Sequence, residues 1–127
     1  MKKIFAKLAA LVLALGMAGS CTQAQESINV ISREDGSGTR GAFIELFGIE
    51  QKDADGNKVD YTTDDCDITN STSVMMVSVS GNKNAIGYIS LGSLNDTVKA
   101  VKIDGVAPSV AAIKEGAYKI ARPFNIA

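Results

Sequence analysis

The segment that most constrains the fold spans residues 33–40 and reads Arg-Glu-Asp-Gly-Ser-Gly-Thr-Arg. It follows residues 27–32, whose β-type composition favours a strand, and it precedes residues 41–47, which have a helix-like pattern. A glycine-rich turn is therefore predicted between a strand and a helix. That turn delivers three small residues to the start of the helix, namely Ser37, Gly38 and Thr39.

A helix start of this composition favours the binding of a small anion. The first backbone N–H groups of a helix have no partner within the helix, and the helix dipole favours negative charge there. The hydroxyl groups of Ser37 and Thr39 add donors, and Arg33 adds a charged fork with bidentate geometry. The spacing predicts a site for a tetrahedral anion. A plain N-cap in a tight turn would use the same residue types, so spacing alone leaves both interpretations open.

Apolar patterns further along the chain predict strands that alternate with helices, which indicates an α/β fold with a mixed sheet. The first strand is predicted over residues 28–31, and the first helix runs from Gly38 or Thr39 to Phe47. Residues 70–81 are ambiguous, because their β-branched content favours a strand without clean alternation. The remaining predictions are a hairpin of residues 49–52 and 58–61, a strand over 85–89, a short helical turn over 91–95, a strand over 98–103, a helix from Pro108 to Glu115 and an extended segment over 118–126.

Together with the Gly-Ala-Phe that follows it, the octad resembles the phosphate-contacting segment of the substrate-binding proteins of phosphate ABC transporters. Further similar motifs follow in the order of that family, at residues 70–72, 84–93, 106–109 and 122–125. The resemblance implies that residues 28–127 form a single lobe of a periplasmic-binding-protein type II fold, with a mixed sheet flanked by helices. It also implies a helix over residues 70–81. The family has two lobes and about twice this length, so the domain is truncated relative to it.

The resemblance also implies roles for individual residues. The hydroxyls of Ser37 and Thr39, with the N–H groups of Gly38 and Thr39, would donate to phosphate oxygens, and Arg33 would add charged hydrogen bonds. Asp35 would orient Arg33 through a salt bridge, although a turn-capping Asp is an equal alternative. The implied function is that of an extracytoplasmic solute-binding protein, which binds inorganic phosphate or a similar tetrahedral oxyanion for uptake through an ABC transporter permease.

The family clamps its anion between two lobes, and its first lobe supplies a carboxylate that accepts the proton of hydrogen phosphate and repels sulfate. Neither that carboxylate nor a Ser/Thr-rich first anion loop precedes residue 28. We therefore expect weak anion binding by this chain alone, and tight phosphate binding only with a separate first lobe or in a homodimer. The alternative is a single-lobe surface lipoprotein that acts as a docking or sensing module, or a non-functional fragment with little anion affinity.

Residues 1–20 have the pattern of a signal peptide, with lysines near the start and a short apolar run over residues 8–17. Cys21 follows small residues, as in a lipoprotein cleavage box, which predicts a lipidated N-terminus and a tether over residues 21–27. Ordinary cleavage after Ser20 is the competing prediction. Either one predicts a periplasmic or cell-surface location, and lipidation adds a membrane anchor.

The composition argues against several other functions. The chain has 127 residues, a net charge of −1 and no histidine. Nucleic-acid binding would require basic patches, and the lack of histidine removes the commonest metal ligand and general base. Ser37 lies in Gly-Ser-Gly rather than in the Gly-x-Ser-x-Gly of hydrolases, and no lysine is near it, so we predict neither an enzyme nor a cofactor. Residues 53–60 only hint at a calcium loop, because Gly56 stands fourth where sixth is required.

Overall fold

The strand that precedes the glycine-rich turn is the centre of the sheet. The structure is a computed structural model and describes residues 26–123, so the predicted signal peptide and Cys21 lie outside the described residues. The strands are β1 (Asn29–Arg33), β2 (Glu50–Lys52), β3 (Lys58–Asp60), β4 (Asp67–Thr69) and β5 (Ala85–Ile86). The helices are α1 (Gly38–Leu46), α2 (Thr72–Gly81) and α3 (Val110–Lys114), with a 3-10 turn at Leu91–Ser93.

Two separate sheets hold these strands. β1 lies between β4 and β5 in a three-stranded sheet, and both of its pairings are parallel. β2 and β3 form an antiparallel hairpin in which Gln51 pairs with Val59. The predicted α/β class is confirmed, with the parallel and antiparallel pairings in different sheets.

Helix α1 begins and ends where its local sequence directs. Ser37 is the N-cap, and its Oγ accepts a hydrogen bond from the backbone N–H of Arg40 at 3.3 Å. Gly48 follows the helix with a φ of +67°, a conformation that glycine adopts without strain. Between these ends, Ile44 is buried and Phe43 stacks on Tyr88 with ring centroids 4.1 Å apart.

Helix α2 supplies the other half of the core. Met75 and Met76 are both buried. A Cβ atom added to Gly87 would collide with Sδ of Met75, whereas the next residue, Tyr88, packs on Phe43 of α1. Neighbouring residues of an extended segment point in opposite directions. Helices α1 and α2 therefore contact this segment from opposite sides.

Several local predictions are confirmed. The hairpin forms as predicted, the helix predicted over residues 70–81 forms at Thr72–Gly81, and the short turn after residue 90 is a 3-10 helix. The backbone at Gly87 lies close to Met75, and the turn at Asp104 and Gly105 has φ values of +51° and +80°. None of the helices within residues 26–123 is long and apolar enough to cross a membrane.

Other predictions are wrong in extent or in type. The strand predicted over residues 85–89 has only two residues in a ladder, and residues 98–103 form no strand, since Ile103 makes only an isolated bridge with Val106. Alternation of apolar and polar residues creates a face for a strand, but a strand also needs a neighbour to pair with. Helix α3 starts at Val110 behind its cap Ser109, later than predicted.

Candidate anion-binding site

Two helices start at the same edge of the parallel sheet. β1 and β4 run side by side, with Arg33 level with Thr69 at their carboxyl ends. The chain enters α1 soon after β1 and enters α2 soon after β4. The backbone N–H of Glu34 also donates to the carbonyl of Thr69 at 3.1 Å, which extends this pairing past the strand. The carboxyl edge of the strands is where open α/β sheets bind their ligands.

The turn that leads into α1 leaves backbone donors without helical partners. The N–H of Ser37 donates to the carbonyl of Glu34 at 3.2 Å, and Gly36 has a φ of +85°. The first backbone bond of the helix runs from the N–H of Gly41 to the carbonyl of Ser37, at 2.9 Å. The N–H groups of Gly38 and Thr39 therefore precede the hydrogen-bond ladder of the helix. Ser37 caps the helix through its oxygen and keeps its O–H as a donor, so a capping role and an anion role are compatible.

A second hydroxyl lies beside Thr39. The Oγ1 atom of Thr39 is 3.5 Å from Oγ of Ser90, which comes from the loop after β5. Ser90 lies in the family-like motif at residues 84–93, but its residue pattern did not predict a site residue. A small hydroxyl residue directly before a short helical turn was the available signal, because Ser90 is the N-cap of the 3-10 turn. The loop after β5 thus brings the hydroxyl of Ser90 beside that of Thr39 at the start of α1.

Arg33 is nearly buried and already paired. Its side chain is 12% exposed, and its Nε and Nη2 atoms donate to the two carboxylate oxygens of Glu34 at 2.8 and 3.0 Å. Its Nη1 donates to Oγ1 of Thr72, the first residue of α2, at 3.3 Å. The hydrogen bond from Arg33 holds the pKa of Glu34 below its usual range, and the same bond raises the pKa of Arg33. The pair is therefore ionised at neutral pH.

The backbone at Arg33 is fixed as well. Its N–H donates to the phenol oxygen of Tyr88 at 2.9 Å, and that oxygen shares a second hydrogen bond of 2.9 Å with Oγ of the buried Ser32. Tyr88 also stacks on Phe43 of α1. A single side chain therefore ties the end of β1 to the helix that follows it.

The predicted salt bridge between Asp35 and Arg33 is wrong. Asp35 pairs instead with Arg40 on the first turns of α1, and its side chain is 94% exposed. Glu34 takes the predicted place of Asp35, because it directly follows Arg33 at the end of the strand and its longer side chain reaches the guanidinium. Arg40 also binds Asp60 of β3 at 2.6 Å, so this arginine is held between two carboxylates.

Residues 53–60, which only hint at a calcium loop in the sequence, form a tight turn. Oδ1 of Asp53 accepts hydrogen bonds from the backbone N–H groups of Asp55 and Asn57 at 2.9 and 2.8 Å. The hydrogen bonds with Asn57 are also the main reason why the pKa of Asp53 lies below its usual range. Within residues 26–123, no group of three or more acidic or cysteine side chains is arranged to hold a metal ion.

Comparison with known proteins agrees with the fold. Residues 2–126 match the model of the PBP superfamily domain, and the chain belongs to that family. It is similar to the phosphate-binding protein PstS 2 of Streptococcus agalactiae, with 56% identity over 120 residues, which cover 91% of this chain and 41% of the relative. PstS 2 of Streptococcus pneumoniae is 54% identical over 109 residues, which cover 86% of this chain and 37% of the relative. The chain thus spans less than half the length of these relatives.

Solved structures of related proteins also match this fold over part of their length. A phosphate ABC transporter phosphate-binding protein from Streptococcus pneumoniae superposes with a TM-score of 0.69 and 55% identity, over 72% of this chain and 35% of that one. A putative phosphate ABC transporter substrate-binding protein from Clostridium perfringens, solved with bound phosphate, superposes with a TM-score of 0.62 and 41% identity. That match covers 72% of this chain and 35% of the other. The resemblance drawn from the sequence is confirmed, and so is the partial length.

Proposed function

We propose that this chain is the anion-contacting lobe of an extracytoplasmic protein that binds inorganic phosphate for an ABC transporter. The observation that carries the proposal is the helix start at Ser37, Gly38 and Thr39, which follows Arg33 at the carboxyl edge of the sheet. It is supported by relatives that are named as phosphate-binding proteins and are more than half identical. These relatives are solute-binding proteins, which agrees with the absence of a predicted catalytic group.

The proposed contacts follow from donor chemistry. The free N–H groups of Gly38 and Thr39 point out of the helix start, where the dipole favours an anion. The hydroxyls of Ser37 and Thr39 donate to the same oxyanion, and Ser90 lies close enough to join them. Arg33 supplies the full positive charge. Hydrogen bonds to a charged oxygen are shorter and stronger than neutral ones, so a few of them suffice to hold a small anion.

One lobe leaves part of the anion in water. Water weakens each hydrogen bond, because it competes for the same oxygens and screens the charge of Arg33. The proposed affinity of this chain alone is therefore low, with a Kd on the order of 0.1–1 mM. Tight and phosphate-selective binding requires a second surface with an acceptor carboxylate, from a separate first lobe or from a second copy. Lipidation at Cys21 would keep the lobe at the membrane surface near a permease.

Calorimetry on the full 127-residue chain tests this function, with light scattering to establish the oligomeric state and sulfate as a competing anion. We expect weak, saturable heat on adding phosphate. Thr39→Ala should weaken binding about tenfold, as expected for loss of a charge-assisted hydrogen bond of about 1.5 kcal/mol. The matched control is Thr63→Ala, since Thr63 is an exposed threonine whose hydroxyl only accepts a local bond from the N–H of Asp65.

The proposal fails if the folded chain binds no phosphate, both alone and mixed with a first lobe. It also fails if Thr39→Ala and Thr63→Ala bind phosphate as well as the parent chain. Nanomolar binding by a strictly monomeric sample would contradict the requirement for a second surface.

A further inference from the structure

An arginine near the end of the described residues lies against the start of α1. Nη2 of Arg122 donates a hydrogen bond to the backbone carbonyl of Gly38 at 3.2 Å, from 84 positions away in the sequence. Its Nη1 lies 3.7 Å from a carboxylate oxygen of Glu45, about two turns further along the same helix. The guanidinium therefore lies along the side of α1 and contacts the first residue of that helix.

The carbonyl that Arg122 contacts belongs to the same peptide group as the N–H of Thr39. That N–H precedes the hydrogen-bond ladder of α1 and is one of the donors proposed for the anion. Residues 26–123 contain no cis peptide bond, so the C=O and the N–H of this group point in opposite directions. A cation at the carbonyl and an anion at the N–H would thus lie at the two ends of one peptide dipole.

We propose that Arg122 is a positioning residue for anion binding, which acts through the peptide group of Gly38 and Thr39 and makes the N–H of Thr39 a stronger donor. This role rests on the proposed function and extends it to the segment after α3, which supplied none of the predicted contacts. Arg122 would not touch the anion.

The physical basis of this role is polarisation of the peptide group. A positive donor on the carbonyl oxygen draws electron density from the peptide nitrogen, because the C–N bond has partial double-bond character. The attached N–H becomes more positive, and hydrogen bonds linked in a chain strengthen one another by about 10–30% each. The guanidinium also opposes the partial negative charge of the Gly38 oxygen, which would otherwise weaken the attraction of the helix start for an anion.

The geometry argues against direct contact between Arg122 and the anion. The guanidinium bonds the oxygen of Gly38, and the carbonyl groups of a helix point away from the free N–H groups at its start. The other alternative is a purely structural tether, in which Arg122 only fixes the segment after α3 to α1. A tether would change the stability of the protein and leave its affinity for phosphate unchanged.

The test titrates the full chain, labelled with nitrogen-15 and carbon-13, with inorganic phosphate and follows the amide signal of Thr39 by NMR. We expect Arg122→Ala to raise the Kd about threefold, because one charge-assisted hydrogen bond to the anion becomes weaker but is not lost. Lys119→Ala is the matched control, since it removes the same charge from an exposed position on the same segment, and it should leave the Kd unchanged. An unchanged Kd in a folded Arg122→Ala variant, checked by thermal unfolding, overturns the proposal.

Salt separates the contact with Gly38 from the general field of a positive charge. The Debye length falls from about 10 Å at 0.1 M salt to about 3 Å at 1 M, so a field that acts through solvent is screened whereas a direct hydrogen bond is screened much less. The ratio of the Kd of Arg122→Ala to that of the parent should therefore stay near threefold over this range. A ratio that falls to one, or an equal rise of the Kd in Lys119→Ala, overturns the proposal.

A second readout does not depend on phosphate. In the free chain, Arg122→Ala should shift the carbonyl carbon signal of Gly38 and the amide nitrogen signal of Thr39 together, because both atoms belong to the polarised group. Lys119→Ala should shift neither signal. If the two signals do not move in Arg122→Ala, then Arg122 does not polarise this peptide group and the proposed role is wrong. If they move but neither the parent nor the parent with a first lobe binds phosphate, the proposed function fails instead.

Discussion

Residues 29–81 and residues 98–123 differ in how much of their sequence pattern becomes paired structure. The first stretch contains most of a parallel sheet and two helices of nine and ten residues. All of the buried hydrophobic residues in the described part of the chain lie within it: Ile31, Ile44, Met75 and Met76. The second stretch has one five-residue helix and one isolated bridge, and its Val101 and Val110 are each 60% exposed.

The difference shows that a strand-like pattern is not sufficient for a strand. Residues 98–103 read Val-Lys-Ala-Val-Lys-Ile, which favours a strand, yet in the structure all of them except Lys102 line an apolar cavity of about 610 Å³ together with Tyr88 and Met75. In the first stretch β4 returns beside β1, so that the backbone groups of these two strands pair with each other. The second has no comparable neighbour within the described residues.

The largest expected effect on stability comes from truncating a buried side chain in the first stretch. Met75→Ala should lower the free energy of unfolding by about 2–5 kcal/mol, because the side chain is 1% exposed and its removal leaves a cavity. Val101→Ala in the second stretch should change it by less than about 0.5 kcal/mol, because most of that side chain is in water. Urea unfolding followed by circular dichroism measures both. Equal losses would show that the two stretches share one core.

A smaller effect is expected where the segment after β5 packs against α2. Gly87→Ala places a methyl group against Sδ of Met75 and within 3.2 Å of Val79, which should cost about 1–3 kcal/mol. Gly92→Ala is the control, since nothing lies within 4 Å of its added Cβ. The same urea titration applies. A neutral Gly87→Ala would mean that α2 can shift, and that the first stretch is packed less tightly than its burial indicates.

The smallest effect concerns the two helix caps with the same chemistry. Oγ of Ser37 accepts from the N–H of Arg40 at 3.3 Å, and Oγ of Ser109 accepts from the N–H of Ala112 at 3.1 Å. Ser37→Ala should destabilise the protein by about 1 kcal/mol. Ser109→Ala should cost only a few tenths, about 0.3 kcal/mol, because α3 is short and exposed and its loss leaves the core intact. Amide hydrogen exchange of the two helices would reveal the difference, and a reversed order would contradict the contrast between the stretches.

Local signals made the first stretch predictable. A serine that can cap and a glycine that can adopt a positive φ define α1, and Asp-Gly-Asn defines the hairpin turn. The position of Ser37, Gly38 and Thr39 at a helix start followed from these short-range rules. Such rules need no knowledge of the rest of the fold.

The pairing of side chains and the contacts between distant segments were not predictable from such short-range rules. Asp35 and Glu34 both lie within two residues of Arg33, yet Glu34 pairs with Arg33 and Asp35 pairs with Arg40. The approach of Ser90 to Thr39 joins residues 51 positions apart. The helix over residues 70–81 was predicted through family resemblance, since its β-branched content alone favoured a strand.

The ion pairs of Arg40 provide a way to observe movement of the turn that leads into α1. It binds Asp35 in that turn and Asp60 in the hairpin, and its own Nε is buried without a partner in the described part of the chain. The hairpin belongs to a separate sheet, yet it shares this cation with the segment that leads to Ser37. A displacement of the turn should therefore be felt in the hairpin, where the exposed Gln51 could carry a fluorescent label. In this way one arginine joins the start of α1 to the hairpin.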